Sequence, residues 1–277
     1  MWEKTFVETT RGKFEVFVSG SGEPLCVTHL YSEFNEQGNI FANPFTPHYK
    51  VYLVNLRGCG NSVHVEDTNQ YSMEESVKDL ESIRVALGYN TWGFAGHSTG
   101  GMLALKYSIV APNSLTKIIA GCTSASKEYS VDADSIYSPM NSKFKRIIEI
   151  MTKIDDPSIP VETQKELGYE WDLMSYYSED KLKEALKIPN SGKTVGPRLE
   201  YFVNIENPTY DLRNDLVNVK VPSHIYAGKY DAQCPYKYGE EIASLIPNAS
   251  FTAFNESNHN PYVEEEEKFK RFVKSTL

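Results

Sequence analysis

The chain has little of what several functional classes require. Among its 277 residues are only four cysteines, Cys26, Cys59, Cys122 and Cys234, standing far apart with no C-x-x-C pair. Neither zinc nor dithiol redox chemistry is expected from that spacing, and no metal or organic cofactor is implied. Basic residues are the minority: 28 Lys and Arg stand against 37 Asp and Glu, a net charge of −9. That balance argues against a nucleic-acid partner and against an anionic membrane surface. No apolar run approaches the roughly 20 residues of a membrane-spanning helix. Met1–Phe6 has no basic stretch leading into an apolar one, so no secretory signal is expected, and the cysteines read as thiols of a cytoplasmic protein. No internal repeat and no low-complexity tract interrupts the chain.

What is present is enough apolar material for a large core, 40% hydrophobic and 12% aromatic. Lys4–Thr9 and Lys13–Ser19 read as two strands around a Thr10-Arg11-Gly12 turn. Leu25–Thr28 and Val51–Leu56 read as buried strands. Ser72 with Glu75 spells a capping box opening a helix that stops at Gly88. A strand through Trp92–Ala95, a helix ending at Pro112 and a strand at Leu115–Ala120 follow. Strand and helix alternate again at Val221–Ala227, Tyr236–Leu245, Ser250–Phe254 and Pro261–Val273, and the acidic run Glu264–Glu267 reads as the solvated face of that last helix. Repeated strand–helix units predict an α/β fold with a mostly parallel sheet covered on both faces. Between residues 123 and 206 the alternation lapses into helical stretches rich in Tyr, Met, Lys and Glu. The expected organisation is a core of residues 1–122 and 207–277 with a helical lid, 123–206, inserted in it.

Chemistry concentrates at Gly96-His97-Ser98-Thr99-Gly100. This G-x-S-x-G follows an apolar strand and precedes a helical run, the context in which a sharp turn lifts a serine hydroxyl clear of a sheet. The flanking glycines leave room for the neighbouring strand and helix. Ser98 is therefore the candidate nucleophile. A serine hydroxyl needs a base, and the base needs a group that fixes its tautomer. On strand–elbow–helix folds these follow in the order Ser, Asp or Glu, His. His259, between the last strand and last helix, fits the base, and Asp231, after the penultimate strand, fits the acid. His48 and His64 read as loop residues, His224 as a strand residue, and His97 as packing under the elbow. An oxyanion needs two backbone N–H donors. Thr99 supplies one, and Tyr31, in the loop beginning His29-Leu30-Tyr31-Ser32, is the candidate for the other.

With these residues, the Arg57-Gly58-Cys59-Gly60-Asn61-Ser62 segment and the Gly228/Asp231/Pro235 segment, the chain resembles the α/β-hydrolase superfamily over nearly its whole length. Within it the chain is similar to the proline iminopeptidase-like group in its R-G-x-G-x-S segment and its lid placed before the acid. It departs from that group at the oxyanion loop and at Thr99. The Gly96–Gly101 stretch also resembles cofactor-free haloperoxidase and esterase relatives. The resemblance implies a hydrolase acting through an acyl-enzyme on a small ester, amide or short peptide.

Esterase and aminopeptidase differ in one requirement: an exopeptidase must pair its substrate's ammonium with a carboxylate. Glu206 is the candidate, with Glu170 and Asp172 behind it, and His29 is a second candidate for substrate contact. Tyr129, Tyr137, Tyr176 and Tyr177 are candidates to line the pocket. A non-catalytic receptor or scaffold on the same fold is the alternative from another class.

Overall fold

Inner strands of a parallel sheet are buried on both faces and read as unbroken apolar runs. The computed structural model, which describes residues 1–154 and 156–277, realises that pattern. Strands β1 (Glu3–Thr9) and β2 (Gly12–Ser19) form a hairpin, followed by β3 (Glu23–Val27), the two-residue β4 (Ser32–Glu33) and β5 (Tyr49–Val54). Helix α1 (Met73–Ala86), β6 (Trp92–His97), α2 (Thr99–Val110) and β7 (Leu115–Gly121) come next. Then come helices α3 (Phe144–Lys153), α4 (Val161–Ser175) and α5 (Glu179–Ala185), strand β8 (Lys193–Thr194), α6 (Gly196–Tyr201) and a π-helical turn, Phe202–Glu206. The chain closes with α7 (Arg213–Leu216), β9 (Ser223–Gly228), α8 (Tyr236–Leu245), β10 (Ala249–Phe254), α9 (Pro261–Glu264) and α10 (Glu266–Ser275).

The eight-stranded sheet runs β1-β2-β5-β3-β6-β7-β9-β10. The pairings β1/β2 and β2/β5 are antiparallel and the rest parallel. After β3 the chain builds to one side through β5 and then returns to the other through β6. Ligand crevices of open α/β sheets lie at the strand carboxyl ends beside such a reversal, and the loops carrying His29 and Ser98 leave the sheet there. One face is covered by α1 (Val77, Leu80, Ile83), α2 (Leu103) and α8 (Ile242). The other packs α10 (Phe269, Phe272, Val273) with Phe45 and Tyr226. No helix among the described residues is long and apolar enough to cross a membrane.

Two local expectations change. Ser72 Oγ caps α1 by accepting from Glu75 N (3.2 Å), but Glu75 does not reach back to complete the box. Its carboxylate takes charge-assisted bonds from Arg11 (2.5 Å) and Lys78 (2.7 Å) instead. A complete capping box forms one turn earlier, between Asp67 and Gln70. The final helix is also two helices, broken at Glu265 (φ −123°), and the break turns part of the acidic run inward.

Candidate active site

The elbow is built by close approach. A Cβ on Gly96 would sit 1.9 Å from the Gly100 carbonyl oxygen, and one on Gly100 would sit 2.5 Å from that of Thr28. Only glycine lets strand, turn and helix meet so tightly. Ser98 takes φ 56° and ψ −124°, a conformation costly for a residue with a Cβ. Its N–H donates to Gly121 O (3.0 Å), and its carbonyl accepts from Gly101 N (2.9 Å) and Met102 N (3.1 Å), so the turn is held from both sides.

His259 and Asp231 are both buried, and His259 Nδ1 lies 3.0 Å from each Asp231 oxygen. A carboxylate only accepts, so Nδ1–H donates to Asp231 and Nε2 is left with its lone pair free. Asp231 Oδ1 also accepts from Gln233 N and Cys234 N (both 2.9 Å), which fixes its rotamer. Asn258 Oδ1 accepts from Ala232 N (2.8 Å), tying the acid's loop to the histidine's.

Two glutamates that read as solvated instead hold this loop. Glu264 is 4% exposed; its Oε2 accepts from Asn258 N (3.0 Å) and Asn260 N (2.9 Å), the residues flanking His259. Its other oxygen accepts from Tyr177 N, beyond α4. Burial pushes this carboxyl up to about 7, against the three N–H donors that favour its charged form. Glu265 Oε2 accepts from Glu256 N and Ser257 Oγ (both 2.9 Å). The end of α4 grips the same loop: Ser175 O accepts from His259 N (3.1 Å) and Asn260 Nδ2 (3.0 Å).

Thr99 opens α2, where a helix leaves its first N–H groups without intrahelical acceptors and carries its positive dipole end. Among the described residues no protein group accepts from the Tyr31 N–H either. His29 bridges the two segments, with Nδ1 2.8 Å from Ser32 Oγ and Nε2 3.0 Å from Thr99 Oγ1. Burial lowers it to about 3, so the ring is neutral. It lines the cavity, yet hydroxyls already occupy both of its nitrogens. His97 does more than pack beneath the elbow: it lines the same cavity, with its ring centroid 4.6 Å from that of His259. His97 Nδ1 is 3.0 Å from the Tyr226 hydroxyl, Nε2 is buried without a partner, and burial holds the ring well below the usual imidazole range.

Ser98, Thr99, Tyr31, His29 and His259 face one cavity of about 450 Å³. Its far wall comes from the helical stretch between β7 and β9: Ile148 and Met151 of α3, Trp171 of α4, Leu199 of α6, then Phe202 and Val203. Tyr129 and Tyr137 line it, but Tyr176 and Tyr177 do not. Among the described residues no Asp, Glu, Lys or Arg lines it. Glu206 is not brought to it. The π turn aims that carboxylate at the start of α1, where Oε1 accepts from Met73 N (2.7 Å), an orphan donor of the first turn. Glu170 is held by Arg146 (2.7 and 2.5 Å). Asp172 faces an adjoining cavity of about 520 Å³ that shares Gln233, Asn260 and Tyr262 with the first.

The four cysteines are buried and unpaired, and Cys234 lines the cavity. Cys122 directly follows β7 with φ 48°, and its sulfur, Asp231 and His259 each offer a ligand atom within 4.8 Å of the others. It is the single three-residue grouping of metal-ligand type among the described residues. His259 Nδ1 in it is committed to Asp231, so the geometry is that of a hydrogen-bonded pair with a thiol behind it.

Comparison with known proteins matches this architecture. A family profile for the alpha/beta hydrolase fold covers residues 21–144. The chain is 25% identical to a proline iminopeptidase of Heyndrickxia coagulans, over 97% of this chain and 96% of that protein. It is 23% identical to a pimeloyl-[acyl-carrier protein] methyl ester esterase of Vibrio campbellii, over 90% and 92%. A solved structure of an alpha/beta fold family hydrolase from Bacillus anthracis str. Sterne is 61% identical and superposes with a TM-score of 0.99 over all of both chains. With an elbow serine at the carboxyl edge of a mostly parallel sheet and a relative this similar along its whole length, the chain belongs to the α/β-hydrolase fold family of hydrolases.

Proposed function

We propose that the protein is a serine hydrolase cleaving a small, uncharged carboxylic ester or amide through an acyl-enzyme. Ser98 Oγ attacks the carbonyl carbon while its proton passes to His259 Nε2. The carbonyl π pair moves onto oxygen, and the N–H groups of Thr99 and Tyr31 hold the oxyanion. Asp231 orients the imidazole and stabilises its cation. Collapse expels the alcohol or amine, which takes the proton from His259. Water then attacks the acyl-Ser98 ester by the same route, releasing the acid and restoring the serine.

The observation that carries the substrate class is the cavity lining. Apolar and neutral polar side chains surround the elbow, and among the described residues no carboxylate stands ready to pair an ammonium. A desolvated ammonium without a counter-charge is strongly disfavoured. Glu206, the residue best suited to that task in the sequence, serves the N-terminus of α1. This favours an ester or simple amide over an iminopeptidase substrate, and the methyl ester esterase among the relatives supports the same direction. The aminopeptidase reading draws on the proline iminopeptidase relatives and on Asp172 in the adjoining cavity. Residues 123–206 act as a lid in this reading, and the substrate is a small molecule met in the cytoplasm.

A panel of p-nitrophenyl acyl esters beside aminoacyl-naphthylamides, prolyl included, separates the two. Acyl esters are expected to be turned over with higher kcat/KM. Efficient release of an N-terminal residue, with acyl esters poor, would transfer the assignment to the aminopeptidase class.

A further inference from the structure

Arg198, in α6 of the inserted segment, is 1% exposed, yet none of its hydrogen bonds goes to a carboxylate. Nε donates to Leu30 O (2.5 Å), Nη1 to Arg57 O (2.8 Å), and Nη2 to Ser76 Oγ (2.9 Å) and, more weakly, Tyr71 O (3.4 Å). A buried guanidinium with neutral acceptors alone is a poor stabiliser, since apolar side chains of similar volume generally do as well. Its most intimate contact gives it another use. Leu30 O belongs to the peptide whose N–H is that of Tyr31. In a trans peptide the C=O and N–H point in opposite directions, so a donor clamped on one fixes the direction of the other. A charge-assisted bond to the carbonyl also polarises the amide and strengthens its N–H as a donor. The next carbonyl, Tyr31 O, is held by Val195 N (2.8 Å), and β8 pairs with β4 at Ser32 and Glu33. Residues 193–198 thus hold this loop at Leu30, Tyr31, Ser32 and Glu33.

We propose that Arg198 is a positioning residue for the oxyanion site: its guanidinium sets the Leu30–Tyr31 peptide so that the Tyr31 N–H meets the developing oxyanion. Docking of the 193–198 segment is then a condition of catalysis as well as a wall of the cavity. The inference rests on the reading of Tyr31 and Thr99 as oxyanion donors. Arg198 touches neither Ser98 nor the cavity, so its loss acts on the transition state and leaves ground-state binding in place.

The test is Arg198→Lys, which keeps the charge but cannot serve four acceptors at once. On the best acyl ester, kcat is expected to fall about 10- to 100-fold, in the range below outright removal of an oxyanion donor, with KM changed less than about threefold. Affinity for a boronic acid, which forms a tetrahedral adduct on Ser98, should fall in parallel, while inhibition by the product carboxylic acid stays as in the wild type. A folded Arg198→Lys with unchanged kcat and boronate affinity overturns the proposal, as does a fall in kcat with boronate affinity intact. If Arg198→Lys does not fold, Ser76→Ala decides by the same paired criterion. Ser76 lies on α1 outside the cavity and holds one nitrogen of the guanidinium. A joint fall of about 2- to 5-fold is expected from a lost neutral acceptor, and no change overturns the proposal. Turnover surviving Ser98→Ala would sink the acyl-enzyme reading and this inference together. Turnover lost in Ser98→Ala but untouched by Arg198→Lys would sink the Arg198 role alone.

Discussion

Glu264 gives a sharply signed stability experiment. Its carboxyl is raised from 4.5 to about 7 by burial, partly offset by the N–H donors of Tyr177, Asn258 and Asn260, with the Asp231 carboxylate pushing it further up. Asp231 is the charged group facing it, and the Tyr176 and Tyr262 phenols lie alongside. Between pH 4.5 and 7 the folded protein therefore binds more protons at this group than the unfolded chain. Stability from this group falls as pH rises through that window, and is highest below it. Working the two titrations from pH 5 to pH 8 gives a loss on the order of 2–3 kcal/mol, with no solvent discount for a side chain only 4% exposed. Glu264→Gln removes the titration and keeps the shape. Urea unfolding of both proteins across this range isolates the group, because the other titrations cancel in the difference. The Gln variant is expected to gain roughly 2–3 kcal/mol relative to the wild type between pH 5 and pH 8. A difference constant to within about 0.5 kcal/mol, or one growing in the opposite direction, would refute the reasoning.

Two further substitutions test neighbouring parts of the site. Glu206→Ala removes the acceptor of Met73 N and should cost about 0.5–2 kcal/mol of stability while changing kcat/KM for acyl esters and aminoacyl amides alike; selective loss on substrates with a free N-terminus, measured side by side, would restore Glu206 as an ammonium holder. Gly228→Ala places a Cβ 1.8 Å from Asn258 O, so the backbone beside His259 must move. A displacement of that kind should lower kcat by about 10²-fold, and an unaffected kcat would show that the loop absorbs the methyl without moving His259.

Much of the fold was legible because its constraints are local. Apolar runs without helical period marked β3, β5, β6 and β7, and Tyr236–Leu245 was read with its observed bounds. The serine elbow announced itself because close approach forces glycine at fixed offsets from Ser98. The supports of the site were hidden for the opposite reason. Glu264 lies in a run of four glutamates, and nothing in that run reveals the break at Glu265 that turns one carboxylate under the His259 loop. Glu206 ends a helical stretch, and its direction depends on a π turn that the sequence pattern does not betray. Arg198 stands between Pro197 and Leu199 with no motif around it; its neutral acceptors come from Leu30, Arg57, Tyr71 and Ser76, more than 120 positions away. Side chains that act on distant backbone leave no spacing to find.

The most direct test of the mechanism is covalent labelling of the native protein with a fluorophosphonate, followed by peptide mass spectrometry. The phosphonate requires an activated serine and an oxyanion site in the same place. The expected result is one label per chain on Ser98, loss of ester turnover in proportion to labelling, and no label in Ser98→Ala. Turnover persisting in the fully labelled protein, or a label on any residue other than Ser98, would contradict the acyl-enzyme mechanism at its first step.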